Sequence, residues 1–145
     1  MFKNKKIGFG ITGSFYTIKY IIPEIKKLIK MEAIIYPIMS FNSYKLAMKH
    51  ENIKEYIKQI EIITKNKIIH TNLDAELIGS KYATDILIIA PCAGDTIGKL
   101  ANGILDDPIL IATKSHLKNE KNIVIGILTS DGLSGSAKNI RYFIK

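Results

Sequence analysis

The chain has 145 residues, 47% of them hydrophobic, which is enough for one domain with a real core, and no apolar run reaches the ~18 residues of a membrane span. The formal net charge is +8, but the lysines are scattered (Lys26, Lys27 and Lys30; Lys54 and Lys58; Lys114, Lys118 and Lys121) and Arg141 is the one arginine. That pattern fits solvated helix faces and excludes the clustered, aromatic-laced basic patch of a nucleic-acid binder.

The N-terminus is basic, yet residues 8–13 are too short and Gly-rich for a signal sequence. The single cysteine, Cys92, excludes an internal disulfide and fits a reducing cytosol. Residues 6–11 read as a first strand and Thr12-Gly13-Ser14 as a turn with helix-start chemistry. Ile18, Ile21, Ile22, Ile25, Leu28 and Ile29 recur at spacings of three and four and predict a helix over 15–31, kinked or restarted at Pro23. Residues 33–39 read as a second strand, followed by a polar stretch, 40–43. A second amphipathic helix covers 52–64, with Asn52 as its cap.

Residues 67–70 predict a short third strand, and 71–83 form a mixed stretch without assignment. A fourth strand over 84–90 breaks at Pro91. Helices follow over 95–102, closed by Gly103, and over 108–117. A fifth strand covers 122–128, and a polar loop with a fragmentary tail begins at 129. Strands alternating with helices predict an α/β fold: a three-layer, doubly wound parallel sheet of Rossmann-like or flavodoxin-like type, one domain over 1–145. Its site is expected at the strand C-termini.

Two loops stand at such ends. Gly10, Ile11, Thr12, Gly13 and Ser14 join the first strand to the first helix; the glycines admit close backbone approach, and hydroxyls beside a helix start suit a phosphate. Residues 8–13 match G-x-G-x-x-G formally. However, Ser40 stands where a dinucleotide site places an acidic residue, so a mononucleotide phosphate fits better than NAD. The same residues also read as a tight turn capped by Ser14. The second loop is Pro91, Cys92, Ala93, Gly94, Asp95 and Thr96, too polar for simple core.

Together these loops resemble the paired signatures of the FMN-binding flavoprotein family related to the homo-oligomeric flavin-containing cysteine decarboxylases. In that family the first loop holds the FMN phosphate, and the second, typically Pro-Ala-Ser-Ala-Asn-Thr, lines the flavin and helps build the oligomer interface. Here Asp95 replaces the usual Asn. Residues 6–14, Ser40, 75–81, 130–133 and 137–140 are similar to the branch formed by the dipicolinate synthase B subunits of spore formers. The resemblance implies an FMN-type cofactor, homo-oligomers, and a separate NADP-dependent A-type partner from the same synthase. It also implies oxidation of a dihydrodipicolinate-type precursor to dipicolinic acid. That branch continues past the equivalent of Lys145 with a strand and a Pro-rich tail, whose loss is expected to expose apolar surface.

The alternatives are an FMN-dependent decarboxylase of a cysteine-like substrate and a non-catalytic flavin-binding or assembly module. Against the decarboxylase, residues 75–84 lack the family's His, and 129–132 replace its Pro-x-Met-Asn clamp. His70 lies too early to serve as base; His50 and His116 fall on helices and are expected to face solvent. Cys92, near a helix start, is a candidate for a lowered pKa, but packing is the simpler role. Asp95 is expected to cap the next helix or meet the flavin edge, and Asp106 and Asp107 to cap the helix after it. No catalytic residue is assigned, and no spacing of His and Cys makes a metal site.

Overall fold

The computed structural model describes residues 1–13, 15–130 and 135–144. The elements are β1 (Lys6–Ile11), a 3-10 turn (Phe15–Thr17), α1 (Ile18–Lys30), β2 (Ile34–Met39), α2 (Phe41–Ala47), α3 (Glu51–Thr64), α4 (Asn72–Glu76), β3 (Ile86–Ala93), α5 (Gly94–Ala101), α6 (Pro108–Lys118), β4 (Asn122–Leu128) and α7 (Ala137–Ile144). The four strands form a parallel sheet in the order β2-β1-β3-β4. The order reverses between β1 and β3, so a crevice opens at the C-terminal ends of these strands.

Strand alternation sorts the core into two layers. Ile7, Phe9 and Ile11 of β1 pack with Ile18, Ile22 and Ile25 of α1 and with Ile57 and Ile60 of α3. On the other face Ile38, Leu87 and Ile89 meet Ile97 of α5 and Ile109 and Ala112 of α6. Each fully buried isoleucine contributes roughly 1.5–3 kcal/mol relative to exposure. Gly10 is glycine for this packing: a Cβ there would stand 2.8 Å from Ile109 Cδ1.

The doubly wound α/β reading holds, with local corrections. The expected strand over 67–70 is a single bridge, Ile69 to Ile38, beside β2. Pro23 lies inside α1, which begins after a 3-10 turn rather than at residue 15 and does not restart. The polar stretch after β2 opens α2, and the unassigned stretch after residue 70 contains α4. Pro91 does not end its strand: β3 runs to Ala93 through a cis Ala90–Pro91 peptide and a register shift between Ile89 and Cys92. The tail carries α7.

His50, not Asn52, is the N-cap residue of α3, without a side-chain cap bond. Gly103 follows α5 with φ +70°, as a C-terminal glycine should. His116 is not solvent-facing but 1% exposed. It sits 2.6 Å, Nε2 to Oγ1, from Thr84, because α6 turns this side toward the sheet. Among the described residues no helix is long and apolar enough to cross a membrane.

Candidate functional site

The ends of β1, β2 and β3 converge on a cavity of about 260 Å³. Of the residues singled out in the sequence, Thr12, Gly13, Ser40, Asp95 and Thr96 line it. Ser14 lies outside the described residues. Gly10, Ile11, Pro91, Cys92, Ala93 and Gly94 do not line it; they build the wall behind it.

Thr12 makes that wall. Its hydroxyl donates to the Pro91 carbonyl at 3.0 Å and accepts the Ala93 N–H at 2.8 Å, while its own N–H reaches the Pro91 carbonyl at 3.1 Å. Both loops are thereby joined into one unit, and the hydroxyl expected to face a phosphate is already engaged. Gly13 has φ +82°, a conformation that favours glycine, and a Cβ there would come 3.3 Å from Ala93 Cβ. Gly94 is small for another reason: a Cβ would meet Thr129 Oγ1 at 3.0 Å and Ser136 Oγ at 3.1 Å.

Ser40 caps α2, accepting the Ser43 N–H at 3.2 Å. Asp107 stands at the N-cap of α6 but makes no cap bond within it. Its carboxylate instead accepts the Phe41 N–H at 2.8 Å, tying α2 to α6 across the cavity. Burial pushes the Asp107 carboxyl above its usual range; the Phe41 N–H and Lys99 oppose that, and Asp106 and Asp95 add to it. Asp106 caps nothing and pairs with Lys99 Nζ at 3.1 and 3.2 Å.

Asp95 also caps nothing. It lies within the first turn of α5, whose N-cap residue, Ala93, has no side-chain cap bond. The first turn of α5 therefore presents N–H groups without an N-cap side chain at the cavity wall. Thr96, in the same turn, is 6% exposed and lines the cavity. These groups fit an anionic or hydroxylated ligand, with Gly13 leaving room for its approach.

Cys92 is fully buried, Sγ 3.8 Å from the Ala93 carbonyl. Burial, helped by Asp95, pushes its thiol up to about 12, the reverse of the lowering expected from a nearby helix start. Its side chain belongs to the core cluster with Leu87, Ile89 and Ile97, so desolvation outweighs the nearby helix start. No histidine is among the described residues that line the cavity. His70 stacks on Tyr44, ring centroids 3.7 Å apart, and His50 packs at a tilt near Phe15 at 6.0 Å. Among the described residues no cluster of His, Cys, Asp and Glu has the arrangement of a metal site.

Sequence reading missed the third wall, Phe41, Asn42 and Ser43, together with Lys99, Asp106, Asp107 and Leu110. The signal for it was Ser40 followed by Tyr44 and Ala47, an N-cap residue ahead of apolar residues at helical spacing.

Comparison with known proteins shows the family and the fold. The Flavoprotein family model matches residues 1–130. The dipicolinate synthase B subunit of Bacillus subtilis (strain 168) is 36% identical over 138 residues, 95% of this chain and 69% of that protein. The crystal structure of the dipicolinate synthase B subunit from Bacillus halodurans C superposes with TM-score 0.87 at 33% identity, covering 97% of this chain and 72% of that one. AnUbiX (PadA1), solved in complex with FMN and dimethylallyl pyrophosphate, shares the fold at TM-score 0.71 and 17% identity, covering 98% of this chain and 72% of that one.

Proposed function

The chain belongs to the Flavoprotein family, and from that membership we propose that it is a B-type subunit of a dipicolinate synthase, holding an FMN-type mononucleotide in the cavity between β1, β2 and β3. The observation that carries this reading is the donor set at the cavity wall: the first turn of α5, whose N-cap residue Ala93 offers no side-chain cap, with Thr96 in that turn and Gly13 on the facing loop. The kinship with a dipicolinate synthase B subunit over nearly the whole chain supplies the reaction class.

At about 260 Å³ the cavity lies below the roughly 300–1,000 Å³ typical of small-molecule pockets. It suits the phosphate and ribityl arm of a flavin rather than the whole molecule. Gly13 and the α5 N–H groups suit the phosphate; Asp95 and Asp107 are acceptors for ribityl hydroxyls. FMN, when bound, supplies two-electron redox chemistry; the chain binds and orients it. In this reading the protein is cytoplasmic and homo-oligomeric. It works with an NADP-dependent A-type partner to oxidise a dihydrodipicolinate-type precursor to dipicolinic acid during sporulation.

A decarboxylase acting alone fits less well, since no histidine is found among the described cavity-lining residues and Cys92 is held as a buried thiol. The test is co-expression with the A-type partner, with dipicolinate as the readout. Product that requires this chain supports the reading; equal product without it refutes it.

A further inference from the structure

Among the described residues that line the cavity, only Phe41 and Leu110 carry large apolar side chains. Leu110 is 1% exposed and packed in the core, whereas Phe41 is 54% exposed. A ring left half in water contributes only part of the stabilisation that full burial would give, so packing alone does not account for an aromatic at this polar rim. Its backbone is held from two sides. The Phe41 N–H donates to the Asp107 carboxylate at 2.8 Å, and Ser40, just before it, caps α2. Lys45 Nζ stands 6.0 Å from the ring centroid, a cation over the ring rather than an apolar partner.

Size narrows what meets this ring. The cavity of about 260 Å³ takes the phosphate and ribityl arm of a mononucleotide, which leaves the planar ring system at the rim. A flat heteroaromatic group has two apolar faces, and an offset-stacked aromatic side chain is the surface that suits one of them. Phe41 is the one aromatic among the described cavity-lining residues. Tyr16 and Tyr20 are more exposed but do not line the cavity, and the Tyr44 ring is already stacked on His70.

We infer that Phe41 is the stacking residue for the isoalloxazine ring, and that it makes the cavity select a ring-bearing mononucleotide over a sugar phosphate without a ring. The inference rests on the mononucleotide reading of the cavity and adds a division of labour to it. Gly13 and the first turn of α5 receive the phosphate; Phe41, on α2, receives the ring. Asp107 serves the second task as a positioning residue, because its carboxylate holds the Phe41 N–H.

The experiment titrates FMN and ribitol 5-phosphate, the same arm without the ring, against the full chain and its Phe41 variants by calorimetry. Phe41→Ala should weaken FMN about tenfold and leave ribitol 5-phosphate unchanged. Phe41→Leu, which keeps apolar bulk but not the plane, should recover little, and Phe41→Trp should recover most of the affinity. Tryptophan is also the better electron donor, so flavin bound to Phe41→Trp should fluoresce several-fold less than flavin bound to the unmodified chain. That quenching decides the matter should Phe41→Ala not fold. Saturable FMN binding that Phe41→Ala leaves unchanged would overturn the inference while the cavity reading stands. Equal weakening of FMN and ribitol 5-phosphate would assign Phe41 to the arm and overturn it too. No saturable FMN binding by the unmodified chain would remove both.

Discussion

The Thr12 hydroxyl is bonded to the Pro91 carbonyl at 3.0 Å, across 79 positions of sequence, and this contact makes one site of two loops. Thr12 is 2% exposed, so its removal leaves a buried carbonyl and the Ala93 N–H with fewer partners. Thr12→Val should therefore cost about 1–3 kcal/mol, read as a lower midpoint in urea unfolding, while Thr12→Ser, which keeps the hydroxyl, should recover most of it. Equal losses in both variants would assign the effect to packing.

Cys92 should be inert in the folded protein. Its thiol is buried and pushed up to about 12, so little thiolate exists at neutral pH and none is accessible. Reaction with a thiol-directed disulfide reagent should run at least about a hundredfold slower in buffer than in denaturant. Comparable rates would contradict the buried placement.

Asp107 has a folded-state pKa raised mainly by burial. Above that pKa its ionised form carries a penalty that the unfolded chain does not, so its contribution to stability improves as pH falls through the raised value. Asp107→Asn, which preserves an acceptor for the Phe41 N–H, should raise Tm at pH 7. The gain should shrink in acid and vanish below the ordinary carboxylate range, as thermal melts across pH would show.

His116 works with the opposite slope. Burial lowers its folded pKa, so the unfolded chain takes up the proton first. Stability should fall as pH drops below about 6.5, the unfolded value, and level off beneath the lowered folded value. Among the described residues its Nδ1 lacks a well-formed hydrogen bond, and the Asn122 backbone and Asp85 offset only part of the effect of burial. His116→Gln should flatten this part of the stability–pH curve, and an unchanged slope would place the proton elsewhere.

The fold was legible where periodicity was strong: β1, α1, β2 and α3 are carried by isoleucines at spacings of two or of three and four. It was less legible where tertiary contacts decide. Residues 67–70 look like a strand but lie at the rim, where only Ile69 finds a partner. Pro91 looks like a terminator, yet β4 continues to pair with β3 beyond it. His116 has the company of lysines in sequence, and only the docking of α6 shows that it faces inward.

The site divided in the same way. The loop positions of Gly13, Asp95 and Thr96 could be read from a strand-to-helix pattern. By contrast, the engagement of Thr12 with Pro91 and of Asp107 with Phe41 depends on which loops become neighbours, and no local signal carries that.

The most direct test of the cavity as a mononucleotide site is a fluorescence titration of FMN, and in parallel riboflavin, with the purified chain. Saturable FMN binding at one per chain is predicted, several-fold tighter than riboflavin and weakened by Gly13→Ala and Thr96→Ala in variants that still melt cooperatively. Absence of saturable binding, or equal affinity for the two flavins with no response to either substitution, would contradict it.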